Sequence, residues 1–288
     1  MKTTFSPFIL LFGVSAVLLP GCFQQTAPER LLTADSPSVA TEIGESVEAL
    51  IVPATNQLSS FPVNLGKFPA LKKLSLRGQK NLGEVPSSLG DAKLLYMLDL
   101  SETGIKSLPE AVGAMSGLRH LYLSDNGMTN LPASVLSLSE LTYINLDRNN
   151  ISELPSGVGA MESLKWVRLN DNNLNSLPDS ANGWTDVRRL YLRGNSFTNV
   201  PAVVFKMKTL EQIDLSNNRI TVIPDEIVEM PNLERIDLNG NPISKLPENI
   251  GKMKNLKTLM LYGTKIPKEE QVRIREALPD LVDVHIAF

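Results

Sequence analysis

The chain has 288 residues, long enough for one large domain or two small ones. It is 42% hydrophobic and 20% charged with a net charge of −3, the composition of a folded protein. Its mild acidity argues against a nucleic-acid binder, which needs a basic face to neutralise phosphates. A single cysteine excludes an internal disulfide and a cysteine-built zinc site.

The first element is a leader, residues 1–21. Lys2 supplies a positive start, and Phe8–Leu19 is an apolar run of 12 residues. That is too short for a stable membrane span but suits a signal-peptide core. It ends in Leu19-Pro20-Gly21-Cys22, which resembles the lipobox of bacterial lipoproteins. The resemblance implies cleavage before Cys22 and lipidation of its thiol. The chain's one cysteine stands where lipidation would use it. Cleavage would remove Lys2 and leave 27 basic against 31 acidic residues, a net −4. Two or three acyl chains, at about 0.8 kcal/mol per buried CH₂, make a durable anchor. The expected location is therefore the cell envelope, as a membrane-anchored lipoprotein of the outer membrane or cell surface.

Residues 22–47 follow, rich in Ser, Thr, Ala, Pro and Glu, and read as a flexible tether. Val39, Ile43, Val47 and Leu50 are spaced like one face of a helix, which predicts an N-terminal cap.

Residues 48–265 repeat every 23 residues. The clearest copies begin at Leu95, Leu118, Leu141, Leu164, Val187, Leu210 and Leu233, with the pattern LxxLxLxxNxLxxLPxxLxxLxx. The copy at Leu71 carries one extra residue. A weak first copy starts at Glu48 and a truncated last one at Leu256, giving about ten units. The alternating LxL segment predicts a short strand. The Asn slot (Asn56, Asn126, Asn149, Asn172, Asn195, Asn218, Asn241; Gln79, Thr103 and Thr264 in the others) predicts inward amides bonding backbone groups left open by a turn. The Pro slot, from Pro62 to Pro247, predicts short 3₁₀ or extended turns rather than helices. Trp184 falls on a core position of that side.

A fixed period in the twenties with this pattern is similar to the leucine-rich-repeat family, in the 23-residue form of Ras-group and many bacterial proteins. The resemblance implies an α/β fold, a right-handed solenoid with a concave parallel β-sheet and a convex side of short turns, and a binding role. It names no partner.

The last element, residues 266–288, reads as a cap: a helix from Pro267 to Leu278 with Val272, Ile274 and Leu278 inward, then an alternating strand from Leu281 to Phe288.

The x residues beside the strand leucines form three columns across the sheet. The first runs Lys73, Met97, His120, Tyr143, Trp166, Arg189, Gln212, Arg235, Thr258. The second runs Ser75, Asp99, Tyr122, Asn145, Arg168, Tyr191, Asp214, Asp237, Met260. The third runs Arg77, Ser101, Ser124, Asp147, Asn170, Arg193, Ser216, Asn239, Tyr262. Four of the five tyrosines fall here, and the middle copies gather His120, Tyr122, Tyr143, Trp166, Arg168, Arg189, Tyr191 and Arg193. Tyr, Trp and Arg are the types enriched at interface hot spots, and adjacent Trp166/Arg189 and Arg168/Tyr191 predict cation–π stacking. Asp99, Glu102 and Asp125 on one side, and Asp214 and Asp237 on the other, make acidic flanks. The plainer reading is that aromatic residues suit strand surfaces and that Arg and Asp pair with each other.

The expected function is non-enzymatic recognition of a protein partner through the concave face. The alternatives are binding of an envelope glycan or a structural envelope role. No catalytic residue, metal or cofactor is expected. His120 near Ser101, Ser124 and Asp99 offers only a superficial triad on an open sheet, and no phosphate-loop or paired-histidine motif occurs.

Overall fold

The computed structural model describes residues 33–34, 44–61, 65–278 and 283–285. The leader, Cys22, most of the tether, Val39, Ile43, Pro62, Val282 and Ile286 lie outside the described residues. Among the described residues twelve short strands form one all-parallel sheet in strict sequence order. They are β1 (Thr33–Ala34), β2 (Ala49–Ile51), β3 (Lys73–Ser75), β4 (Met97–Asp99), β5 (His120–Tyr122) and β6 (Tyr143–Asn145). The second half comprises β7 (Trp166–Arg168), β8 (Arg189–Tyr191), β9 (Gln212–Asp214), β10 (Arg235–Asp237), β11 (Thr258–Met260) and β12 (Asp283–His285). From β3 to β11 the register never slips: Leu74, Leu98, Leu121, Ile144, Val167, Leu190, Ile213, Ile236 and Leu259 stand side by side. All of them are buried. A one-residue slip would turn this row outward, so the alternation itself enforces the register.

The opposite side is built of 3₁₀ turns. Pro86, Pro109, Pro132, Pro178, Pro201 and Pro224 each stand immediately before a five-residue turn. The proline carbonyl accepts the first turn hydrogen bond, as in Val112 N–H to Pro109 O at 3.0 Å. Proline has no N–H to leave unpaired there and holds φ where an entering chain needs it. Val112, Val135, Val158, Ala181, Val204 and Ile227 point from these turns into the core. Trp184 is buried and donates Nε1–H to Val158 O at 2.9 Å, as core filler should.

Consecutive turns approach closely at a few glycines. A Cβ on Gly113 would lie 2.6 Å from the Ser134 carbonyl oxygen and 2.8 Å from Ser134 Cβ. Gly113→Ala is therefore expected to destabilise by about 1–3 kcal/mol through overpacking. Thermal melting checks this, and an unchanged midpoint would contradict the contact.

The asparagine slot works as a ladder. From Asn126 to Asn241 each amide nitrogen donates to the carbonyls of its own strand end and the preceding copy; Oδ1 accepts an N–H 21 residues earlier from Asn149 onward, and those of Thr103 and Gly104 at Asn126. Asn149, for example, bonds Leu123 O at 2.9 Å, Leu146 O at 3.0 Å and the N–H of Met128 at 3.1 Å. Thr103 and Thr264 substitute a hydroxyl donated to Leu100 O and Leu261 O.

The ends depart from expectation. Asn56 is exposed rather than inward. The chain from Val52 to Asn56 is one residue longer than from Leu123 to Asn126, so the amide is carried out of the slot. Gln79 of the next copy is buried in its own slot, accepting Leu58 N–H at 2.8 Å and donating to Pro53 O at 2.9 Å. Val47 and Leu50 are buried, but in strand register rather than on a helix. A 3₁₀ turn at Gly44–Ser46 leads into β2, and Leu50 pairs with Leu74. Thr33–Ala34, assigned to the tether, instead pairs with Ala49–Leu50.

At the other end, α1 (Lys268–Ala277) covers the last copy, with Ile274 and Leu278 buried. Val272 does not pack inward; it is 53% exposed. Gln271 is buried in its place, donating Nε2–H to Ile266 O at 2.9 Å. Strand β12 pairs with β11, so the stack ends on a strand as expected. No helix among the described residues is long and apolar enough to cross a membrane.

Candidate functional site

Each strand from β3 to β11 contributes its first and third residues to the open sheet face, and the register brings same-column residues side by side. His120, Tyr143, Trp166 and Arg189 are successive neighbours in the first column. Their side chains form a continuous chain of contacts. His120 meets Tyr143 edge-on at 6.4 Å, and Tyr143 meets Trp166 at 6.0 Å. The Arg189 guanidinium lies 4.4 Å from the centre of the Trp166 ring. Tyr122, one column over, packs against Tyr143 at 4.9 Å. Arg168 lies 5.1 Å over Tyr191. Both stacks expected from adjacency are therefore present. These seven side chains are half-buried, supported from below by the leucine row and open above.

Electrostatics separates the arginines. Arg168 Nε donates to Asp147 Oδ2 at 2.8 Å, and Asp147 is almost wholly buried, also accepting Asn170 N–H at 2.8 Å. Burial opposes the Arg168 charge, but the Asp147 carboxylate outweighs it and holds the guanidinium above its ordinary value. Arg193 is exposed and pairs with Asp171 at 2.7 Å. Arg189 has no carboxylate within ion-pair distance among the described residues. Its Nε is buried with no hydrogen-bond partner there. Burial, then the charges of Arg119 and Lys73, push His120 below its ordinary value. Burial raises Tyr143 far above the usual phenol range, so it stays protonated.

The third column differs from expectation. Ser101, Ser124, Asp147, Asn170 and Ser216 are buried. They sit where the strand turns, and they serve the turn: Asn170 Oδ1, for example, accepts Arg193 N–H at 2.9 Å. The face open to a partner thus consists mainly of the first two columns, with Arg77, Arg193 and Tyr262 of the third exposed beside them. The acidic flank also resolves into two kinds. Glu102 pairs with Arg77 and Asp125 with Arg148, whereas Asp99, Asp214 and Asp237 have no basic partner within ion-pair distance among the described residues. Burial raises Asp99 and Asp237 above the ordinary carboxylate range.

Column reading missed Tyr96. Its ring lies 5.3 Å beneath the Lys73 ammonium. It precedes the first column by one residue, at the strand edge, where the two-residue period gives no signal.

None of the hydrogen bonds among the described residues joins His120 to Ser101, Ser124 or Asp99. Asp99 instead accepts Ser101 N–H at 2.9 Å. No cluster of three metal-ligating side chains occurs among the described residues.

An in-register parallel sheet backed by proline-led 3₁₀ turns and an asparagine ladder defines a leucine-rich-repeat solenoid. A leucine-rich-repeat family model matches residues 93–151, 139–197 and 185–243, together more than half of the chain. The chain belongs to the leucine-rich-repeat family. Among solved structures, it resembles a leucine-rich-repeat protein of Leptospira interrogans, at 26% identity and TM-score 0.56, over 83% of this chain and 78% of that one. It also resembles the internalin InlF of Listeria monocytogenes, at 21% identity and TM-score 0.75, over 88% of this chain and 71% of that one. A plant peptide hormone receptor, RGFR1, solved in complex with RGF2, matches at 25% identity and TM-score 0.72, over 88% of this chain and 42% of that one. No curated protein sequence matches the chain.

Proposed function

We propose that this chain is a non-enzymatic binding module that recognises a protein partner through the first two columns of its sheet face, centred on Tyr143, Trp166 and Arg189. The observation that carries this reading is the unbroken His120–Tyr143–Trp166–Arg189 contact chain on an open surface. A rigid aromatic run costs little side-chain entropy when a partner covers it, and Trp, Tyr and Arg supply most hot-spot energy. The relative solved with RGF2 is a protein bound to a peptide hormone, which supports a polypeptide partner rather than a small substrate.

The test is capture. Immobilised Gln24–Phe288 and its Tyr143→Ala/Trp166→Ala/Arg189→Ala variant are compared for what each retains from envelope and culture extracts. A protein held by the first and lost by the second supports the reading. Retention of peptidoglycan or polysaccharide instead would favour a glycan-binding role.

The proposal extends to location: a bacterial envelope lipoprotein held by acyl chains on Cys22. The lipobox-like Leu19-Pro20-Gly21-Cys22 after an apolar run supports this. Cys22→Ser is expected to move the protein from the membrane to the soluble fraction, because the anchor chemistry is lost whole. A variant that stays with the membrane would sink the idea.

A further inference from the structure

Cations on the sheet side fall into two sets. Arg77, Arg148, Arg168 and Arg193 each pair with a carboxylate. The three cations of the first column do not. Lys73 lies over Tyr96, Arg189 lies over Trp166, and Arg235 donates to the Met260 sulfur at 3.1 Å. None has a carboxylate within ion-pair distance among the described residues. Asp214 and Asp237 stand in the neighbouring column, yet the arginines of the first column do not turn to them. A guanidinium resting on a ring or a sulfur keeps most of its donors unspent, and a planar guanidinium matches a carboxylate in two-point geometry. Arg189 adds a buried Nε with no acceptor. Such a group is costly to leave unpaired, and an incoming acceptor relieves the cost.

Spacing limits the shape of the complement. At about 4.8 Å per strand, Arg189 and Arg235 are about 10 Å apart and Lys73 is about 24 Å from Arg189. An extended chain advances about 3.3 Å per residue, so roughly three residues separate the first pair and roughly seven the second. Between Lys73 and Arg189 the column offers Met97, His120, Tyr143 and Trp166, which favour apolar or aromatic side chains. Charge complementarity therefore selects one occupant for this face.

Building on the reading of the sheet face as a protein-binding surface, we infer that the docking element of the partner is an acidic, extended peptide segment of about ten residues. It lies across the strands along the first column. Its carboxylates meet Arg189, Arg235 and Lys73, and its apolar side chains rest on Tyr143 and Trp166.

The test selects a display library of random peptides, about 12 residues long, on the full chain in detergent. The affinity of the enriched peptides is then measured for wild type, Arg189→Gln, Arg235→Gln and Arg148→Gln, each first shown to melt like wild type. Arg148 is already paired with Asp125 and serves as the control. The expected result is enrichment of Asp and Glu alternating with apolar residues. Affinity should fall at least about tenfold in Arg189→Gln and in high salt, and stay within about twofold in Arg148→Gln. Enrichment of neutral or basic peptides that still require Tyr143 and Trp166 would overturn this inference while leaving the protein-binding reading standing. Acidic peptides indifferent to Arg189→Gln and Arg235→Gln would also overturn it. Peptides displaced by polygalacturonate at equal carboxylate concentration, or no enrichment at all, would overturn both.

Discussion

Leu169→Asp is expected to unfold the middle of the solenoid, and Asn172→Ala to weaken it more than any single substitution on the sheet face. Leu169 is fully buried between Leu146 and Leu192, which occupy the same slot in the adjacent copies. A carboxylate there has no partner and no water, and a buried unpaired charge costs more than about 4 kcal/mol. Whole domains are stable by only about 5–15 kcal/mol. Asn172 donates to Leu146 O at 2.9 Å, Leu169 O at 3.2 Å and Asn170 O at 3.1 Å, and accepts Ile151 N–H at 3.0 Å. Alanine strands the Ile151 N–H in the core, while Leu146 O, Leu169 O and Asn170 O each lose one of two donors and keep Asn149, Asn195 and the Arg148 N–H. At about 1–3 kcal/mol for one buried group left open, the loss is about 2 kcal/mol.

Because each copy contacts only its neighbours, the damage should be local. Amide exchange is expected to accelerate first across residues 141–192, with the distal copies protected longer. Circular dichroism melts and exchange measurements check both variants. A Leu169→Asp protein that melts with wild type would refute the inward register.

The second large effect is on binding. The variant Tyr143→Ala/Trp166→Ala/Arg189→Ala removes the centre of the contact chain without touching the leucine row beneath it. Hot-spot side chains contribute about 2 kcal/mol or more each, and adjacent ones do not add simply. A combined loss of about 4 kcal/mol corresponds to a roughly thousandfold weaker complex. Half-buried positions on an open sheet cost far less in folding than Leu169, so the melting temperature should stay close to wild type. Retention of the same partner by the triple variant would move the interface off this face.

The arginines make this prediction specific. Arg168 and Arg193 belong to the sequence-derived patch, yet Asp147 and Asp171 already occupy them. Replacing either tests mostly an intramolecular pair. Arg189 is the arginine of that patch with no carboxylate within ion-pair distance among the described residues, and this separates it from neighbours that look equivalent in the sequence.

Much of the molecule is legible in its sequence because the repeat is one-dimensional. A period of 23 with alternating leucines can be satisfied only if every copy turns the same way, so strand positions, the Asn ladder, the proline-led turns and the first two surface columns follow from counting, whereas the burial of most of the third does not. Where copies differ in length, counting fails. One extra residue before Asn56 displaces its amide, whereas Gln79 keeps its own slot in the next copy. Val47 and Leu50, three residues apart, fit a helix face; instead the 3₁₀ turn before Val47 and the pairing of Leu50 with Leu74 in β3 bury both. Val272 and Gln271 exchanged roles because the orientation of α1 over the last copy, rather than hydropathy, selects which side chain is covered.

The sequence alone determined the family, the register, and which aromatic and basic residues share a face, since those depend on periodicity along one chain. Only the tertiary structure decided which charges on that face are already neutralised. Ion pairing depends on side-chain reach between copies about 23 residues apart, on burial, and on the turn that lowers Asp147 under Arg168 while leaving Arg189 on Trp166. No column of letters contains those distances.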